Sequence, residues 1–308
     1  MKQTLIDRQP LTSVFSRHTT WITRTLSSLK EKTMTRLLGT LAVLGCMGVM
    51  AATAQAASIL IITANTADEA ALETFLESAP GGVHAVTLST GYTGALSPSN
   101  IAELNGYDLI IMRTSTNNYY SSGQASDWNA LSTPILVTAV GLVAQNGSRW
   151  NWIGRDAGAT TSTSDGILEV DVPGHPVYTG VSVVGGQMTL YSPGRTITHF
   201  PTGAGNAEVV ASSTAATARP LLAFWEEGEY FRGTSGQIAG GPRGYFPLPS
   251  GDVMTDMTDD GKRLLANTVD YIIPEPASLV LLAAGGLLMM PRRRPRAYVD
   301  PCYLRSTR

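Results

Sequence analysis

The central part of this chain is expected to fold as an α/β domain, and three features point there. Ile59-Leu60-Ile61-Ile62 is an unbroken apolar run, the mark of a parallel strand covered on both faces. Leu72, Phe75 and Leu76 follow at helical spacing. Strand and helix then keep alternating to about residue 140, which implies parallel pairing through right-handed crossovers.

The elements can be justified in order. Thr66-Ala67-Asp68-Glu69 supplies a hydroxyl cap and an acidic first turn for the first helix, and Pro80-Gly81-Gly82 stops it. Residues 83–88 read as a second strand. Ser97 caps a short helix with Pro98 at its first position, where a missing N–H costs nothing, and Asn105-Gly106 ends it. Residues 107–112 form a third strand, 122–131 a helix and 134–140 a fourth strand. From Asn146 to about Ala218 the chain is rich in Gly, Ser and Thr, with strands expected at 166–172, 187–191 and 207–212. Strands at 220–225 and 244–248 follow. Thr258-Asp259-Asp260 then caps a last helix whose Leu264, Leu265, Val269 and Ile272 share one face.

Both ends differ from this domain. Met34-Thr35-Arg36 precedes an apolar run, and Ala54-Gln55-Ala56 offers the small-x-small pattern of a signal-peptidase site. Cleavage there would start the mature chain at Ala57, making 1–56 an N-terminal extension with a signal peptide. Translation from Met34 and a genuine long leader both remain open. Val43-Leu44-Gly45-Cys46 resembles a lipobox only faintly, because apolar residues continue past Cys46. At the other end, Pro274-Glu275-Pro276 leads into an uncharged run over 277–290 and then Arg292, Arg293, Arg294 and Arg296. That run is shorter than the roughly 17–25 residues of a stable spanning helix. The arginines would hold the C-terminus in the cytoplasm.

This order of parts resembles the PEP-CTERM sorting signal over residues 274–296, with 297–308 as a short extension beyond it. The resemblance implies recognition by signal peptidase and an exosortase-type protease in a Gram-negative envelope. The inner membrane would anchor the chain transiently, before it reaches the outer envelope or the extracellular matrix.

Charge agrees with export. The whole chain carries a formal −2, but residues 57–273 hold 20 Asp+Glu against 9 Lys+Arg, a net −11. Such a domain repels phosphate backbones, which argues against nucleic-acid binding. Cys46 and Cys302 both fall outside it, so it would enter an oxidising compartment with no disulfide.

Four stretches within 57–273 resemble class I glutamine-amidotransferase-like domains, the trehalose-utilisation type most closely. They are His175-Pro176-Val177-Tyr178-Thr179-Gly180-Val181, Arg219-Pro220-Leu221-Leu222-Ala223, Arg243-Gly244-Tyr245-Phe246-Pro247-Leu248, and the run from Thr258 to Asn267. The resemblance implies a flavodoxin-like three-layer αβα sandwich with a mainly parallel sheet and a β-rich insertion. Amidotransferase chemistry needs a cysteine on a sharp strand-to-helix turn and a His/Glu pair on a later strand. Val140-Gly141-Leu142-Val143-Ala144 has no nucleophile, and Tyr245-Phe246-Pro247-Leu248-Pro249 has neither base nor carboxylate. No catalytic residue, metal ligand or cofactor is therefore assigned.

Other residues invite a binding role. Trp150 and Trp152, beside Arg149 and Arg155, suit a sugar ring and a carboxylate, or else pin the segment onto the core. Asn118, in Asn117-Asn118-Tyr119-Tyr120, is expected on the same carboxyl-end edge, where open α/β sheets bind ligands. His175 is a ligand candidate or the closure of a loop. His84 and His199 lack the nearby partners of a metal site. Glu226, Glu227 and Glu229 with Asp171 read as a cation site or a solvated loop. Asp252, Asp256, Asp259 and Asp260 read as helix N-terminal charge. The expectation is an exported protein with a non-catalytic structural or binding domain, extracellular polysaccharide being its possible ligand. The alternative is a carbohydrate-binding module or a hydrolase with an unrecognised site at the strand carboxyl ends.

Overall fold

The structure, a computed structural model, describes residues 56–78, 82–114, 124–144, 149–154, 161–163, 166–191, 195, 197–199, 203–214, 219–231, 236–249 and 254–273. The expected sorting residues Pro274, Glu275, Pro276, Arg292, Arg293 and Arg294 lie outside them, as do Asn118, Arg155 and Asp252.

Strand β1 (Ser58–Ile62) leads through a 3-10 turn (Thr66–Glu69) into helix α1 (Ala70–Leu76). The cap is Asn65 rather than Thr66. Its side-chain oxygen accepts the Ala67 N–H at 3.2 Å, so Thr66 already lies inside the turn. Strand β2 (Ala85–Ser89) precedes α2 (Pro98–Leu104), whose Ser97 and Asn100 complete a reciprocal capping box. Next come β3 (Leu109–Met112), α3 (Gln124–Asn129), β4 (Ile135–Val137) and α4 (Val140–Val143). The fourth strand thus stops earlier than the apolar run suggests, because residues 140–143 wind into a helical turn.

The middle of the chain supplies β5 (Thr161–Thr163), β6 (Ile167–Val170), β7 (Gln187–Thr189), β8 (Ile197–His199) and β9 (Glu208–Ser213). Strands β10 (Pro220–Trp225) and β11 (Arg243–Tyr245) precede the last helix, α5 (Asp259–Ile272).

Nine of these strands form one sheet in the order β2-β1-β3-β4-β11-β10-β9-β6-β7. From β2 to β11 every pairing is parallel, and from β11 to β7 every pairing is antiparallel. The order 2-1-3-4 is the doubly wound arrangement of flavodoxin-like sheets, with its switch point between β1 and β3. The β-rich middle does not stand apart: β6, β7 and β9 extend the main sheet, while β5 and β8 pair separately.

Strand β1 lies inside the sheet, as its lack of a polar face requires. Its side chains divide between two cores. Ile59 and Ile61 pack with α1 and α5, and Leu60 and Ile62 with α2 and α3. Each fully buried Ile or Leu contributes about 1.5–3 kcal/mol. Among the described residues, no helix is long and apolar enough to cross a membrane.

Candidate functional site

The parallel strands β1, β3, β4 and β11 end along one edge, and Arg113 occupies the crevice there. It follows directly on β3. Its Nε donates to Glu69 Oε2 at 2.6 Å, its Nη1 to Thr138 Oγ1 at 3.4 Å, and its Nη2 to the Pro249 carbonyl at 3.3 Å. One guanidinium therefore ties together the segments leaving β1, β4 and β11. The Glu69 and Arg113 side chains are 5% and 2% exposed. Burial holds the Glu69 carboxyl above its ordinary range, although Arg113 and a Thr63 hydrogen bond pull the other way.

In the neighbouring β4–α4 turn the Thr138 hydroxyl donates to the Met112 carbonyl at 3.0 Å while accepting from Arg113. Ala139 caps α4 without a side-chain bond, and Leu142 and Val143 are buried. The strand leaving β11 runs on beside β4, with Phe246 N–H donating to Val137 and Leu248 N–H to Thr138. Tyr191, fully buried, donates its hydroxyl to the Pro247 carbonyl at 3.1 Å. The segments 140–144 and 245–249 thus make chiefly apolar and backbone contacts.

Trp150 and Trp152 are fully buried. Trp150 stacks on Trp128 at 5.6 Å, and Trp152 lies flat against Phe231 at 5.0 Å and tilts against Trp225 at 5.4 Å. Trp152 Nε1 donates to Asn129 Oδ1 at 2.8 Å. Their ring faces meet other aromatic rings rather than solvent, and each such pair adds about 0.5–1.5 kcal/mol beyond burial. The backbone is tied down as well, Trp150 N–H to Leu142 and Ile153 N–H to Val143. The segment after α4 is thereby pinned onto the core, and Arg149 donates to the Gly141 carbonyl.

His175 closes a loop. Its Nδ1 accepts the Val177 N–H at 3.4 Å, capping the 3-10 turn Pro176–Tyr178. The neutral ring must then carry its proton on Nε2, which faces Glu208 Oε2 at 3.6 Å, just beyond hydrogen-bond reach. The imidazole stacks on Phe224 and meets the edge of Tyr271. Burial lowers its pKa, with Glu208 opposing.

The acidic groups separate. Asp171, after β6, accepts from Ser212, whereas Glu226, Glu227 and Glu229 follow β10, two strands away in the sheet. Asp256 pairs with Arg195, and Asp260 accepts the Ser182 N–H. His84 sits before β2, 3.7 Å from Asp270.

Sequence reasoning passed over two arginines. Arg113 could have been noticed as the first charge after a buried strand. Arg243 is fully buried and donates to the carbonyls of Thr133, Pro242, Trp128, Asn129 and Leu131. It satisfies the orphan carbonyls at the end of α3, where a cation also suits the helix dipole. Burial brings its pKa down to about 9.

No family model matches the chain, and no curated protein does. Among solved structures it is similar to a ThuA-like protein from Parabacteroides merdae. The two share 12% identity over 71% of this chain and 90% of that one, with a TM-score of 0.48.

Proposed function

We propose that this chain is an exported envelope protein, sorted by an exosortase-type protease, whose α/β domain works by binding or scaffolding rather than by amidotransferase chemistry. The observation that supports the non-catalytic reading is the crevice at the switch point. Arg113 there is bonded to Glu69, Thr138 and Pro249 of the same chain, and the one hydroxyl in the adjoining β4–α4 turn, that of Thr138, is itself committed to Met112 and Arg113 with no base among its described partners. A guanidinium so engaged is a brace. Deamidation needs a nucleophile to form the acyl intermediate and a base to activate it. Export is supported by the signal-peptidase pattern before Ala57, by the Pro-Glu-Pro, apolar and arginine order after Ile273, and by the acidic charge between them.

Incubation of the purified protein with glutamine, with ammonia followed over the uncatalysed background, tests the non-catalytic half. No enzyme-dependent release is expected. Release proportional to protein concentration and lost in a single-residue variant would reject it.

A further inference from the structure

We infer, building on the export reading above, that folding of this domain closes its own signal-peptidase site. The leader is then removable only while β1 is still unpaired, and the chain crosses the membrane unfolded. The bond concerned is Ala56–Ala57, the expected cleavage point after Ala54-Gln55-Ala56. Ala56 is exposed, whereas Ala57 is buried and β1 begins at Ser58. Only Ala57 separates the scissile bond from the sheet.

The residues beyond that bond are held from both sides. Towards β2, the Ala57 carbonyl accepts the Ala85 N–H at 2.9 Å. Towards β3, Asp108 Oδ2 accepts the Ser58 N–H at 2.7 Å and the Ser58 hydroxyl at 2.8 Å. The Asp108 N–H in turn donates to the Ser58 carbonyl at 2.9 Å. Because β1 is an interior strand, β2 and β3 occupy both of its hydrogen-bonding edges. Ile59, the next residue, is fully buried in the core beneath α1 and α5.

A peptidase takes its substrate as an extended segment running through the scissile bond, with main-chain hydrogen bonds to the enzyme. Ala57 and Ser58 cannot offer those bonds while β2 and β3 hold them. Chain ends commonly fray at little cost. Here fraying would break the bonds to Ala85 and Asp108 and pull on the buried Ile59. Cleavage and folding therefore compete. Asp108 lies 50 residues after Ser58, so Ser58 stays unclamped until that much more chain has emerged. A chain threading through the membrane offers the bond during this interval. A domain that crossed already folded would keep its leader.

Cell-free synthesis of the full-length chain tests this, with purified signal peptidase in detergent added either during synthesis or after the finished chain has folded. Cleavage is read as a new N-terminus at Ala57. The nascent chain should be cut, and the folded chain should be cut roughly tenfold more slowly or less, because cutting then follows the small open population. A flexible Gly/Ser segment of about ten residues placed between Ala56 and Ala57 should restore cutting of the folded chain. Equal rates for the nascent and folded chains would overturn the inference and leave export standing. So would a folded spacer variant that stays uncut. A nascent chain not cut at this bond would remove the export reading itself, and the inference with it.

Discussion

Arg113 reaches from the end of β3 to Glu69, with Nε 2.6 Å from the carboxylate and both side chains shielded from water. Removing one partner of such a pair leaves a buried charge alone, at a cost of about 3–5 kcal/mol, whereas replacing both with apolar groups can be nearly neutral. Arg113→Met should therefore lower the urea midpoint sharply, and Arg113→Met with Glu69→Leu should recover much of the loss. A double variant no more stable than the single one would show that the pair is not the brace.

Trp152 is expected to act as a core residue. Trp152→Ala removes contacts to Trp150, Trp225 and Phe231 and the bond to Asn129, and should cost about 3–5 kcal/mol. Chemical denaturation measures this. A loss below about 1 kcal/mol, typical of a surface substitution, would contradict the packing described.

Stability should fall as pH drops through the histidine range. Burial lowers the pKa of both His84 and His175 below 6.5, so between the folded and unfolded values the unfolded chain binds more protons. Their contribution is complete above about pH 6.5 and is lost as pH falls toward the folded values, at most by about 1.4 kcal/mol per pH unit for each. Urea midpoints at pH 7.5 and 5.5 should differ in this direction, and less so in His175→Gln. A midpoint that rises on acidification would reverse the sign.

The parallel half of the sheet was legible because burial on both faces leaves a strand no polar positions, as in 59–62 and 109–112. Caps were legible for the same local reason, Ser97 and Thr258 each standing before an apolar repeat. Asn65 was missed because the adjacent Thr66 is also a capping residue, and only backbone geometry separates them. The antiparallel half was expected as short strands, but nothing local says that β6, β7 and β9 add to the main sheet. The Arg113–Glu69 brace joins residues 44 apart, and Asp108 reaches Ser58 across 50. Such meetings depend on topology, which spacing along the chain does not encode.

Gly261 in the first turn of α5 illustrates a local preference overruled by packing. Alanine would raise helix propensity by about 1 kcal/mol. A Cβ there, however, would sit 2.4 Å from the Leu190 carbonyl oxygen and 2.8 Å from Met257 Cγ. Gly261→Ala should therefore destabilise by about 1–3 kcal/mol. A gain in the thermal midpoint would show that β7 and α5 are not packed this closely.

Mass spectrometry of both termini, on protein recovered from fractionated cells, tests the proposed role most directly. The mature chain should begin at or near Ala57, end after the Pro274-Glu275-Pro276 segment without its arginine cluster, and come from the outer envelope or the medium. An intact chain still carrying residues 1–56 and 277–308 and confined to the cytoplasm would contradict it.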